Sequence, residues 1–440
     1  MMISCVACGK RIDKPEDPIV VEQKPYEDMT LAEQLEFMSS REREYVASSE
    51  TGKLAPAKDP TTGKYGYINI YGDWIIKPEY DQAGCFNGDV APILDQYNEY
   101  EYIYRDGSIF MSVYNRKVPF TAARHFYDFF GACVIDSGYE QNKVYIALDG
   151  ISQIFASKLP NTNGVKYENK QFFAIATPFK NGIAVAMKRT NASVLESNDN
   201  NITKLTSKEY WQSAYVIDQS GNIFAALPAG YDVFDYSLND NDTIIVRDMT
   251  KEEKYYGVCD LEGNLIIPCS YHMIEYCDNG MFLATNDQGF LGYINKSGEN
   301  ATEFKYQAAY PFSDGLAAVK ENDLWGFITT KGEYAIEPVW DDVAYLRISD
   351  YDFSIGKAAF CSDVAAVKSG DYWALINKTG DIIDATYCPA AQTPAYSYTS
   401  DNIVVFEEYK DGIKTGGFGL IDTEGHLVLE PFLAGIGLFN

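Results

Sequence analysis

Across residues 316–342 the chain reads LAAVKENDLWGFITTKGEYAIEPVWDD, and its apolar side chains come in pairs two apart: Leu316 and Ala318, Trp325 and Phe327, Tyr334 and Ile336. That spacing puts both members of a pair on one face of an extended chain, so three short strands are predicted. Asn322-Asp323 links the first two. Thr330-Lys331-Gly332-Glu333 links the second to the third, and Gly332 can take the positive φ that a tight hairpin requires. Pro338 cannot donate to a ladder and is expected to end the third strand. Gly326, beside Trp325, leaves room for a neighbouring strand or ring to approach. A three-stranded meander exposes an apolar face and needs neighbours to cover it.

The pattern recurs along the chain. Aligned on the slot of Gly326, with a large apolar residue before it and a turn glycine six residues after, it returns as Tyr65-Gly66 with Gly72, Tyr256-Gly257 with Gly263, Leu291-Gly292 with Gly298 and Phe418-Gly419 with Gly425. Trp373-Ala374 with Gly380 keeps the tryptophan and exchanges the glycine. Tyr100-Glu101 with Gly107, Lys143-Val144 with Gly150 and Ala214-Tyr215 with Gly221 keep the turn and lose the dipeptide. Nine slots span positions 66 to 419, mostly 34 to 48 residues apart, which is the range of stacked supersecondary units. One gap of 71 residues holds an insertion, assigned to the polar stretch 189–208, which reads as a surface loop or a binding loop. A second phrase follows the third strand in several copies, as in residues 80–92, 178–185 and 306–318, and predicts a fourth short strand and a turn. Since Trp, Tyr, Leu and Phe all fill the place before the slot, Trp325 is expected to pack between repeats rather than to stack on a ligand.

Residues 1–53 differ. Cys5 and Cys8 form a CxxC followed by Gly9, the local geometry that turns two thiolates toward one metal. A tetrahedral zinc site needs four ligands, and the next cysteine is Cys85, so the pair is either two free thiols or half of a zinc site completed by a distant cysteine or a second chain. From Thr30 the run TLAEQLEFMSSREREYV predicts a helix, with Thr30 and Glu33 as a capping box and Leu31, Leu35 and Met38 on one face. Its expected role is to cap the array, with a partner-binding helix as the alternative. The organisation is therefore 1–29, a segment with the CxxC; 30–53, capping helix and linker; and 54–440, the repeat array.

Charge narrows the function. Lys and Arg number 36 against 63 Asp and Glu, a net charge of −27, which opposes binding to a nucleic-acid backbone or an anionic membrane. The N-terminus lacks the apolar core of a signal peptide, and no long apolar run suggests a membrane span. Nine scattered cysteines read as reduced thiols. A cytoplasmic protein is the expectation, its oligomeric state open.

Chemistry is sparse. Of the three histidines, His125, His272 and His426, only His272 has suggestive company in Cys269, Ser270 and Cys277. Residues 268–271 occupy the same repeat position as 78–80 and 338–340, so register explains them without catalysis. His426 follows the turn Gly425, where other copies carry Asp73, Asn264 or Glu333, and reads as a solvated turn residue. The acidic pairs Asp341-Asp342, Glu407-Glu408 and Asp240 with Asp242 read as solvated surface. No catalytic residue is assigned.

The phrases KYGYINIYGDWIIKPEYDQAGCF, YPFSDGLAAVKENDLWGFITTKGEYAIEPVWDDV and YWALINKTGDII resemble bacterial WG repeats, also called KWG repeats. The CxxC segment resembles the first half of a short zinc ribbon without its second half. The WG resemblance implies a tandem β-repeat that binds or scaffolds and supplies no catalytic residues. The expected fold is all-β: about nine cassettes of three to four antiparallel strands, closed like a propeller or stacked as an open superhelix. The apolar C-terminus, residues 428–439, could close a ring against residues 54–57. Two functions follow: a non-catalytic protein-binding scaffold, for which the acidic surface suits a basic partner, or a carbohydrate-binding or hydrolytic repeat protein.

Overall fold

A computed structural model describes residues 25–43, 52–86, 88–97, 100–111, 122–127, 130–136, 141–147, 153–154, 173–177, 179–188, 214–228, 230–233, 238–239, 242–277, 280–344, 359–389, 394–398 and 402–436. Cys5, Cys8, Gly150 and the insertion 189–208 lie outside them. Among the described residues the strands make nine antiparallel β units, in the order the slots predict. Units three and four share one sheet, joined where Lys143 meets Phe173.

The seventh unit shows how the sequence builds each one. Its strands are Ala308–Ala309, Leu316–Glu321, Leu324–Thr329 and Tyr334–Trp340, side by side in that order. Asn322 (φ 52°) and Asp323 (φ 66°) make the first hairpin, and Gly332 (φ 79°) the second. Both inner strands are apolar on both faces, because a neighbouring unit covers each face. Leu316, Ala318, Trp325, Phe327 and Ile336 pack toward unit eight, and Ala317, Val319 and Ile328 toward unit six. Tyr334 departs from the predicted face. The register shifts between Phe327 and Ile328, so Tyr334 packs on the unit-six side, and its hydroxyl donates to Glu321.

Pro338 does not end the third strand. The strand runs on to Trp340, because Ile336 pairs with Phe327 and Trp340 with Trp325, leaving residues 337–339 bulged where no ladder N–H is required. This bulge explains the slot glycine. A Cβ on Gly326 would lie 2.7 Å from the Ile336 carbonyl oxygen and 2.7 Å from Pro338 N. Gly66, Gly257 and Gly419 meet the bulged strand of their own units in the same way, beneath Pro78, Pro268 and Pro431. Unit eight has Ala374 in the slot and no proline, and its third strand, Ile382–Tyr387, pairs without that bulge.

The units interlock and close. The short fourth strand after one cassette pairs with the first full strand of the next: Gln82–Ala83 with Val90–Leu94, and Asp342–Val343 with Val364–Ser369. At the end of the chain Gly435–Ile436 does the same with Ala55–Lys58, the first strand of unit one, with Ala57 opposite Ile436. Ala55, Ala57 and Ile68 then share a core with Ile403, Val405, Leu420 and Leu433 of unit nine. The turn glycines at three of the seams repeat the message. Gly107 sits on Ile76 of the preceding unit, Gly380 on Ile336, and Gly72 on Leu429 and Phe432 of unit nine. The array is a closed, propeller-like ring.

Candidate functional site

The N-terminal helix, Leu31–Ser39, forms as expected. Thr30 Oγ1 accepts from Glu33 N and the Glu33 carboxylate accepts from Thr30 N. A closed ring has no end to cap, and the helix lies instead on the third strand of unit eight, Ile382–Tyr387. Leu35 (1% exposed) and Met38 (7%) enter the core shared by units seven and eight, beside Trp340, Phe327 and Ala385. Leu31, Phe37 and Tyr26 pack at its margin, while Glu33 and Glu36 face outward. Each fully buried aliphatic side chain contributes about 2 kcal/mol. A nine-residue helix is unstable by itself in water, so docking holds it helical.

The chain beyond the helix is held by charge. Arg43 grips Asp384 through Nε (3.2 and 3.3 Å) and Nη2 (2.8 Å). Tyr396 of unit nine donates its hydroxyl to Asp384 Oδ2 at 2.9 Å and lies 3.0 Å from Thr386 Oγ1. The guanidinium also covers the ring of Phe406 at 4.1 Å. The Asp384 side chain is only 8% exposed. Burial alone would lower the Arg43 pKa, but Asp384 and then Tyr396 more than offset it and raise it. Burial, then Asp384, pushes the Tyr396 hydroxyl well above the usual tyrosine range. Units one, five, seven and nine carry a proline bulge in this strand; the third strand of unit eight has none and is the platform on which the helix rests, with Ala374 and Ala385 on the side that faces unit seven and Asp384 and Thr386 on the side that faces unit nine.

The residues singled out for chemistry are separated. His272 stacks on Tyr255 (centroids 5.0 Å) and pairs with Asp287 through Nε2 at 3.3 Å. Cys269 and Cys277 are buried. Burial, then Asp248, pushes the Cys269 thiol up to about 11, the reverse of nucleophile activation. His125 falls in the strand Ala122–Tyr127. Asp341 Oδ2 accepts from Gly370 N and Asp342 Oδ1 from Val343 N. Glu407 is buried against Lys414 at 2.7 Å. Asp341, Asp342 and Asp242 are exposed, as expected of solvated surface; Glu407 is the buried exception, and Asp240 lies outside the described residues.

His426 belongs to a device the repeat alignment missed. Three residues after the slot stands an Asn or Asp whose carboxylate or amide oxygen accepts from the backbone across the turn: Asn69, Asp260, Asn295, Asn377 and Asp422. His426 Nδ1 meets Asp422 Oδ2 at 2.9 Å, as Asn69 meets Asp73 elsewhere. With Glu424 these side chains make a three-membered group of metal-capable atoms, which turn architecture already accounts for. The signal was the recurrent Asn or Asp four residues before the polar residue that follows the turn glycine.

The model of the "WG containing repeat" family matches residues 65–95, 256–288, 292–325 and 325–373. These stretches of the chain are WG repeats. The matched stretches fall on the units with the fullest pattern. No curated protein matches the chain. Among solved structures, the WG-repeat ring is similar to a eukaryotic initiation factor, at 9% identity and a TM-score of 0.55, covering 88% of this chain and 98% of that one. That likeness shows the fold alone. The computationally designed Ika8 protein (11% identity, TM-score 0.40, 76% of this chain and 96% of that one) and BamB from Moraxella catarrhalis (11%, 0.33, 78% and 94%) also match, at scores that carry no argument.

Proposed function

We propose that this WG-repeat ring is a non-catalytic scaffold that binds another protein. The observation that carries the reading is the platform of unit eight, where the ring already holds a helical segment through buried apolar side chains and one buried carboxylate. Burial-raised thiols at Cys259 and Cys269 support a binding role over a catalytic one. The charge of −27 favours a basic partner and opposes nucleic acid and anionic membrane. Buried thiols at Cys259, Cys269 and Cys388 suit the reducing cytoplasm. Zinc at Cys5 and Cys8 remains a proposal about residues outside the described ones, tested by metal content with and without Cys5→Ser.

The scaffold reading is tested by affinity capture over a range of ionic strength. It predicts a specific protein partner whose recovery falls as salt rises. Capture of no partner at any ionic strength contradicts it. A carbohydrate-binding reading would draw on exposed rings such as Tyr71, Tyr97, Phe224, Phe290 and Phe432, which are spread over five units. A glycan array showing binding would revive it.

A further inference from the structure

We propose that the platform on unit eight is a docking groove for an amphipathic helix of the partner, and that residues 26–43 are a built-in competitor covering it. This rests on the scaffold reading and names its partner class and its regulation.

Four observations converge. The occupant seen in the groove is a helix, so the groove has the shape of one. Its contacts define the recognition: apolar side chains three apart at Leu35 and Met38 between units seven and eight, then a cation beyond the helix end that reaches Asp384. Unit eight is remodelled for this occupant. Its third strand lacks the proline bulge of units one, five, seven and nine, and it presents the small Ala374 and Ala385 on the side where Leu35 and Met38 pack and Asp384 on the side that Arg43 reaches. Finally, the fit of the chain's own helix is incomplete. Among the described residues the Tyr26 hydroxyl and Trp340 Nε1 are buried without a hydrogen-bond partner, as is Trp373 Nε1 in the neighbouring cluster; Trp340 belongs to the cluster into which the helix packs and Tyr26 packs against it. Trp340 is 2% exposed. A buried donor without an acceptor weakens the state that buries it. A partner helix that offers an acceptor there has an advantage over the resident one, and the short resident helix unwinds when displaced.

The test uses the full chain and, as probe, a fluorescent peptide of residues 25–43. Leu35→Asp with Arg43→Ala releases the resident helix and leaves the ring residues intact. The released variant is expected to bind the probe at least about tenfold more tightly than the unaltered chain, because the groove no longer has a tethered competitor. Adding Asp384→Asn to the released variant should weaken probe binding at least about tenfold, and a probe carrying Leu35→Asp should not bind. Equal binding to the released and unaltered chains, or none to either, overturns the proposal. So does unfolding of the released variant, read by circular dichroism, because the helix is then an integral part of the ring. A dimer formed by helix exchange in the unaltered chain, read by light scattering, overturns a foreign partner in favour of a second copy. The probe comes from this chain, so tight probe binding beside an empty affinity capture counts against the scaffold reading alone.

Discussion

The slot glycine shows how one residue sets the path of the neighbouring strand in the sheet. Its missing Cβ is where the bulged third strand passes, so Gly326→Ala drives a methyl group to 2.7 Å from a carbonyl oxygen and should cost about 2 kcal/mol or more, read by urea denaturation. Ala374→Gly in unit eight, where no bulge presses, should cost only about 1 kcal/mol, from added flexibility alone. Similar losses at the two positions would contradict the explanation. Thiols give a pH signature at the same scale. Burial, then Asp260, pushes Cys259 up to about 12, and burial, then Asp248, pushes Cys269 up to about 11. The folded state holds these protons more tightly than the unfolded one. Their stabilisation is therefore complete below the ordinary thiol range near about 8.5 and is lost as pH rises through it toward 11 and 12. The urea midpoint should hold steady from about pH 7 to 8 and fall above about pH 9.

At the scale of elements, strands and turns were legible in the sequence because period-two pairs and positive-φ glycines are local signals. Asn322-Asp323, Gly332 and the Thr30 capping box all form where those signals stand. The face of Tyr334 and the continuation through Pro338 were not legible, since both depend on a register shift between two strands, which neither strand encodes alone. The groove was legible in part. The helix could be read from Leu31, Leu35 and Met38, but the contact of Arg43 with Asp384 joins residues 341 positions apart, and nothing local marks either one. The Asn and Asp turn caps recur at Asn69, Asp260, Asn295, Asn377 and Asp422 and were obscured by attention to the glycine. At this scale Arg43→Ala should destabilise the docked helix by about 2–4 kcal/mol, because it leaves Asp384 buried without its cation. Hydrogen exchange should quicken in residues 31–39 and change little in the strands of units four to six. Uniform quickening across the ring would show that the helix is not a separable element.

At the scale of the whole molecule, nine cassettes close because each lends its last short strand to its neighbour, and the chain's last short strand finds the first unit. The repeat alone left an open superhelix and a ring equally available; residues 435–436 decide between them by pairing with Ala55–Lys58. That closure carries the rest of the account, since it makes unit eight a side wall with a helix on it instead of a penultimate repeat near an exposed end. Hydrogen exchange by mass spectrometry on the intact chain tests it most directly, comparing residues 434–436, where Ala434 N donates to the Lys58 carbonyl oxygen at 3.1 Å, with the equivalent short strand Ala308–Ala309 inside the array. The account predicts comparable protection at the two seams. Exchange of residues 434–436 at the rate of an unstructured peptide, with residues 308–309 protected, would contradict a closed ring.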